Sequence, residues 1–524
     1  MGNGLRVSRG LFVGVLAIVF SAIGAAQESE GGGLRTVEET FRDNCAVCHG
    51  DRMQGAAQGT PLVGQALQHG DSMGELAVSI ARGFAEKGMP GWNENFTEQE
   101  IKSLALWIRE NRDGLLYSEF NLTSDLTIPT GTLTSAKHTF TLETIVENLD
   151  PLPYSLAVLP NGDLLVTEKM RGMRIISLNG EKSELIIGTP KVYDDGRGGG
   201  ARLLFGMGWL LDVALHPEYA TNGWIYLHHT DRCSDCSELS RQAKRPVSMN
   251  RLIRGRIKDG QWVDEQVIWE ADVERYGLAT DVAAGGRTAF DPEGYVFISI
   301  GMHGRDSVQD LTYPDGKIHR VHDDGRIPGD NPFTDHPNAL KSIWTYGHRS
   351  PQGLEFKADT RELWGTEHGP RGGDEINLLL PGRNYGWPLF SKGQNYDGTE
   401  VGYGRTESEI ELQEIEQPVV DWTPSPAISS FIFYEGEAFP GWRGQLLVGT
   451  LKAADLVRVQ LDGRRLAEQE MLIDNLSRIR DIETDAAGLI YLLLEHDSGG
   501  RIVRMVPQIS KLAMFKPERA RIDR

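Results

Sequence analysis

Between residues 159 and 494 a turn signal followed by a β-type apolar run recurs six times. Leu159-Pro160-Asn161-Gly162 precedes Leu164 to Thr167, His216-Pro217 to Gly223 precedes Trp224 to Leu227, and Asp291-Pro292-Glu293-Gly294 precedes Tyr295 to Ile300. Ala358-Asp359 precedes Glu362 to Thr366, Phe439-Pro440-Gly441-Trp442 precedes Gln445 to Thr450, and Asp485 to Gly488 precedes Leu489 to Leu494. Gly, Pro, Asn and Asp supply the backbone geometry of tight turns, so each instance reads as a hairpin opening into strands that cannot bury both faces alone. Repetition of such units over residues 138–510, with no helical stretches between them, predicts an all-β propeller of six blades. A pair of β-sandwiches is the alternative. The spacing is uneven, so the loops differ in length, and the long ones are where a site belongs.

The front of the chain has a different character. Cys45-Ala46-Val47-Cys48-His49 is the attachment pattern of a c-type haem: two thiols bind the porphyrin edge and His49 binds iron. Gly88-Met89-Pro90-Gly91 offers a thioether on a turn held rigid by Pro90 and Gly91, which makes Met89 the expected second axial ligand. A structural zinc site would need four ligands, and no second Cys/His pair lies nearby. Thr97-Glu98-Gln99-Glu100 reads as a capping box opening a helix with Ile101, Leu104, Ala105 and Ile108 on one face. Residues 37–112 therefore predict a small all-α cytochrome c domain. Residues 113–137, rich in Thr and Ser, read as a linker.

Arg6 and Arg9, the apolar stretch Leu11 to Phe20 and Gly24-Ala25-Ala26 fit a cleaved export signal over residues 1–26. No later apolar run is long enough to span a bilayer, which predicts a periplasmic or secreted protein with no membrane span after cleavage. In an oxidising compartment Cys233 and Cys236 are expected to close a small disulfide, with a redox-active pair as the alternative. A formal charge of -20 argues against nucleic acid as partner, because phosphate binding needs surplus Lys and Arg. Residues 511–524 read as a frayed, mildly basic tail.

Several strings resemble the soluble glucose and aldose sugar dehydrogenases, six-bladed quinoproteins that hold pyrroloquinoline quinone (PQQ) over calcium. They are Trp209 to Pro217, Tyr346 to Leu354, Thr366 to Asn377, Asn384 to Pro388 and Arg478-Ile479-Arg480-Asp481. The likeness runs from about Thr141 to Met505, and the front domain resembles the cytochrome c modules fused to some of these enzymes. It implies that Lys452, Arg478 and Arg480 grip the cofactor's carboxylates, and that Arg349 faces the quinone oxygen, where positive charge stabilises developing negative charge. Arg478 and Arg480 alternate by two, which puts both on one face of an extended strand. The resemblance also implies calcium held by the carbonyls of Gly369 and Pro370, and a second calcium near Asp374, Glu375 and Tyr385.

The substrate side departs from the family pattern. The family's base is a His four residues before a Gly-Arg arginine; here that arginine is Arg287 and the position holds Ala283. Its Asp partner is replaced by Met302, a sugar-contacting Gln by Met207, and an Asn after the quinone-facing arginine by Ser350. His303 is the nearest replacement base and Asp306 another. The expected function is a quinohaemoprotein dehydrogenase oxidising a sugar, alcohol or aldehyde through PQQ, with electrons passed to haem c and on to an external respiratory acceptor. An electron-transfer or binding protein with a catalytically altered propeller is the alternative. A two-haem reductase of the nitrite type would need further His ligands.

Overall fold

The computed structural model describes residues 36–115, 126–194, 206–278, 281–357 and 359–508. The expected export signal and the 511–524 tail lie outside them. Four helices build the first domain: α1 (Val37–Asn44), α2 (Ala46–His49), α3 (Met73–Arg82) and α4 (Glu98–Arg112). Thr36, Ser72 and Thr97 begin α1, α3 and α4 with capping boxes that return Glu39, Glu75 and Glu100 to the cap. Each such cap contributes about 1 kcal/mol, which matters for helices this short. Phe41, Met53, Leu76, Ile80, Leu104 and Ala105 close the small core between them.

Six sheets follow. Their innermost strands are Pro153–Val158, Leu210–Leu215, Gly285–Phe290, Pro351–Lys357, Ile428–Phe433 and Arg478–Thr484, one per blade. Each of the six turn signals is the hairpin joining the first and second strands of one blade. The last blade closes the ring, because Thr139–Leu149 pairs with Gly500–Pro507 and so zips the two ends of the propeller together. Leu133–Thr134, inside the expected linker, adds an edge strand to that blade with Leu133 opposite Phe140. Two short helices, Tyr219–Asn222 and Glu238–Ala243, interrupt the second blade, where the repeat pattern predicts none. Apolar side chains fill the spaces between blades, as between the fifth and sixth, where Tyr434, Phe439 and Trp442 are buried and the last two stack at 4.6 Å. Burying a side chain of this size contributes roughly 1.5–3 kcal/mol.

Strand register decides where a site is built. Pro153 pairs with Glu168, Gly285 with Ile300, Pro351 with Glu367, Ile428 with Thr450 and Arg478 with Glu495. The starts of the inner strands and the ends of the second strands thus share one end of the propeller. Across the channel below them, Arg287 reaches Asp212 at 3.1 Å and Asp481 at 2.8 Å and donates to the carbonyls of Gln352 and Arg480, tying several inner strands together. Beyond that plug lies a cavity of about 330 Å³ lined by the far halves of the inner strands, Glu355 and Glu483 among them.

Candidate functional site

Arg349, Lys452, Arg478 and Arg480 all lie at the end defined by the paired strand termini. Arg478 and Arg480 share one face, as their spacing predicts, and each donates through Nε to one oxygen of the buried Glu495, at 2.8 and 2.6 Å. Arg480 also donates to Gln352 Oε1. Lys169 completes the group. It follows the fully buried strand Leu164–Glu168, lies over the Tyr154 and Trp209 rings, and is held down to about pKa 7 by burial and by Arg480. Burial alone would raise Glu495; Arg480, Arg478 and Lys169 reverse that and hold it at about 2. Three cations around one carboxylate leave net positive charge in a desolvated space, an arrangement that favours an anionic guest.

Arg349 stands just before the inner strand of the fourth blade, Pro351–Lys357, two blades from the sixth, which carries Arg478 and Arg480. Its guanidinium donates to the carbonyls of His368 and Gly369 and bonds Tyr396 OH at 2.9 Å, and it lies over the Trp387 ring. His368 is driven down to about pKa 3 by burial together with Arg349, Arg480 and Arg478, so cations from two blades converge on it. Its Nε2 and Arg349 Nε are buried without a hydrogen-bond partner. Lys452, also lowered by burial, has Glu110 and Asp374 close enough to favour its charged form. An acidic, planar, hydrogen-bonding cofactor fits this lining: several cations, two orphaned nitrogens and the aromatic faces of Trp209 and Trp387.

The Gly369-Pro370 segment is backbone brought close. A Cβ on Gly369 would stand 2.1 Å from Gly372 O, so no side chain fits there. Asp374 accepts from Gly369 N at 3.0 Å, Ser425 Oγ and Ile428 N, which makes it a brace of this loop. Carbonyl oxygens held this way suit a hard cation. Around the expected second calcium, Glu375 accepts from Asn377, whereas the Tyr385 hydroxyl is bound to Leu378 O and Leu380 N, so the two side chains have separate partners. Among the described residues no group of three or more His, Cys, Asp or Glu side chains is arranged for a metal.

On the substrate side, Met302 accepts from Trp387 Nε1 and packs with Val308 and Val401. His303 follows it with Nδ1 buried and unpartnered and Nε2 3.3 Å from Asn250 Oδ1; Asn250 in turn bonds His228. Burial raises the Asp281 carboxyl above its ordinary range, opposed by hydrogen bonds from Thr230 and Ser248 and by the nearby His303. Asp306 is exposed and tied to Tyr403 OH.

In the helical domain Cys45 and Cys48 are half-buried and not joined to each other. His49 Nδ1 is 2.8 Å from Thr60 O. A carbonyl only accepts, so the proton is on Nδ1 and Nε2 is left as the lone-pair nitrogen a metal needs. Met89 is held by reciprocal backbone bonds with Phe84 at 2.8 and 3.2 Å, after Gly88 at φ 83°. Haem c fits this donor set. Cys233 and Cys236 are joined as a disulfide.

Residues 150–504 match the family model described as glucose / sorbosone dehydrogenase, and residues 32–108 match cytochrome C oxidase, cbb3-type, subunit III. Aldose sugar dehydrogenase YliI of Escherichia coli (strain K12) is 35% identical over 381 residues, covering 72% of this chain and 95% of that protein. Quinoprotein glucose dehydrogenase B of Acinetobacter calcoaceticus is 24% identical over 441 residues, covering 69% and 86%. The crystal structure of the soluble aldose sugar dehydrogenase from Escherichia coli in the apo-form superposes with a TM-score of 0.60 at 32% identity, covering 70% of this chain and all of that one.

Proposed function

The chain belongs to the glucose/sorbosone dehydrogenase family with a cytochrome c domain in front of the propeller, and on that premise we propose that it is a periplasmic quinohaemoprotein dehydrogenase. The observation that carries the reading is the convergence of Lys169, Arg478 and Arg480 on the single carboxylate of Glu495, with Arg349 beside them. When bound, PQQ supplies two-electron oxidation of a sugar, alcohol or aldehyde, and haem c supplies one-electron delivery to a respiratory acceptor. Lys452, Lys169, Arg478 and Arg480 bind the cofactor's carboxylates, and Arg349 orients its quinone edge. The carbonyls of Gly369 and Pro370 hold calcium; Glu375 and the Tyr385 backbone are left for a second ion. His49 and Met89 hold haem iron, with Cys45 and Cys48 as the thioether anchors. Export by residues 1–26 would place the chain where haem attachment and the Cys233–Cys236 disulfide form.

His303 takes the substrate hydroxyl proton at Nδ1 in this reading, since that nitrogen is buried and unpartnered while Nε2 faces Asn250 Oδ1. Met207, Ala283 and Met302 line the substrate side with apolar groups, which suits a less hydroxylated substrate than a pyranose. The same replacements support a second reading, a propeller that binds the cofactor without turning over. Reconstitution with PQQ and Ca²⁺, followed by a screen of sugars, alcohols and aldehydes with the reduced haem bands as readout, tests both. Haem reduction by any of these substrates supports the dehydrogenase. Quinone binding without haem or dye reduction supports the altered scaffold, and no quinone binding ends both.

A further inference from the structure

Helix α4 is buried on two sides. Ile101, Leu104, Ala105 and Ile108 belong to the core of its own domain. A second stripe of Gln99, Ser103, Leu106 and Glu110, at helical spacing of four, three and four, faces the propeller; Leu106 is 0%, Glu110 1% and Ser103 5% exposed. Gln99 Nε2 and Ser103 Oγ donate to Gly398 O at 2.7 and 2.6 Å. The approach is close enough that a Cβ on Gly398 would stand 3.0 Å from Ser103 Oγ. At the other end of the stripe Arg371 Nη2 and Nε donate to the two oxygens of Glu110 at 2.6 and 3.2 Å, with Arg371 4% exposed. A two-point charge pair taken out of water on both sides is a fixed joint, because breaking it strands a buried charge.

The two propeller segments that receive α4 are also the ones that reach the cofactor side. Arg371 and Gln394 exchange backbone hydrogen bonds at 3.0 and 3.1 Å, so Gly369-Pro370-Arg371 and the Gln394–Gly398 segment form one unit. From that unit Gly369 O accepts from Arg349 Nη1, and Tyr396 OH bonds Arg349 Nη2. Lys452 lies near Glu110 on the same side. The contacts of α4 thus fall at Arg371, two positions from the Gly369 carbonyl, and at Gly398, two positions from the Tyr396 that bonds Arg349.

We propose that α4 of the haem domain is a wall of the cofactor pocket and that Glu110 is a positioning residue for it. Acting through Arg371 and the Gln394–Gly398 segment, Glu110 sets the place of Arg349 and of the Gly369 carbonyl. This rests on the quinone reading above and adds that the propeller pocket is complete only with the haem domain docked.

The test uses the full chain with haem attached, freed of quinone and supplied with Ca²⁺, titrated with PQQ and followed by tryptophan fluorescence. Glu110→Ala and Ser103→Trp are expected to raise the dissociation constant at least tenfold while the haem spectrum stays as in the parent. Ser103→Trp breaks the joint away from any charge and decides the matter if Glu110→Ala fails to fold. Parent-like affinity in both variants, alongside loss of binding in Arg480→Ala, overturns the proposal and leaves the quinone reading standing. No quinone binding by the parent protein sinks both.

Discussion

Arg480 Nε lies 2.6 Å from Glu495 Oε1, inside a space from which water is excluded. The bond matters because Arg478, Arg480 and Lys169 all share the negative charge of Glu495. Replacing Glu495 by Gln leaves three buried cations to repel one another, and removing one member of a buried pair costs about 3–5 kcal/mol. The ligand-free variant is expected to melt well below the parent. Added PQQ, itself anionic, should raise the melting temperature by more in Glu495→Gln than in the parent; an equal or smaller rise would show that the cations do not face the ligand. Glu495 also gives an acid limb. Its folded-state pKa is depressed from 4.5 to about 2, so the stabilisation it contributes is complete above the ordinary carboxylate value and is lost as pH falls from 4.5 through about 2.

Lys169 has the opposite consequence at higher pH. Burial and Arg480 hold its folded pKa at about 7 against 10.5, so the folded ligand-free protein releases this proton before the unfolded chain does. The penalty of keeping Lys169 charged is complete below pH 7 and fades as pH rises to 10.5, where both states are neutral. An anionic ligand restores the charge, so binding takes up a proton. Affinity for PQQ is therefore expected to fall between about pH 7 and pH 9, and Lys169→Met should flatten that slope. Titrations in buffers of different ionisation enthalpy measure the proton uptake directly.

Blade number was legible because each first hairpin must turn tightly, and Gly162, Gly223, Gly294 and Gly488 all hold positive φ there. The cationic set was legible only in part. Lys169 follows Val166-Thr167-Glu168 and reads as a strand leaving the core for water; its burial depends on Tyr154 and Trp209 arriving from other strands. The signal was the missing turn residue after Glu168. Helix α4 likewise shows one apolar stripe in sequence, while Leu106 stands off it. A Leu on the polar side was the trace of a second contact, but the residues that receive Ser103 and Glu110 of that stripe, Gly398 and Arg371, lie 295 and 261 residues away. Ring closure between Thr139–Leu149 and Gly500–Pro507 leaves no local mark at all.

His303 and Asp306, both candidates for the missing base, separate cleanly in the structure. His303 presents a buried unpartnered Nδ1, whereas Asp306 is exposed and bonded to Tyr403. His303→Ala is expected to lower turnover by roughly 10²- to 10⁴-fold with little change in PQQ affinity, and Asp306→Asn should leave turnover within about twofold. Single-turnover haem reduction, which reports the chemical step apart from delivery to the acceptor, is the measurement. Parent-like rates in His303→Ala would remove the assignment.

Arg287 holds the floor of the pocket together. Its guanidinium satisfies Asp212 and Asp481 and two carbonyls, and the negative groups around it hold it charged despite burial. The same two carboxylates accept from Thr288 N, Leu156 N and Ser155 Oγ, so they fix inner strands as well as the arginine. Arg287→Met keeps much of the volume but strands two buried carboxylates, a loss of about 3–5 kcal/mol. Because those carboxylates would then favour protonation, the variant's deficit should shrink as pH is lowered toward 5, whereas loss of packing alone would be independent of pH. Chemical denaturation of parent and variant at pH 5 and pH 8 distinguishes the two, and a deficit equal at both pH values would show that Arg287 acts as a spacer and not as the counter-charge of the channel.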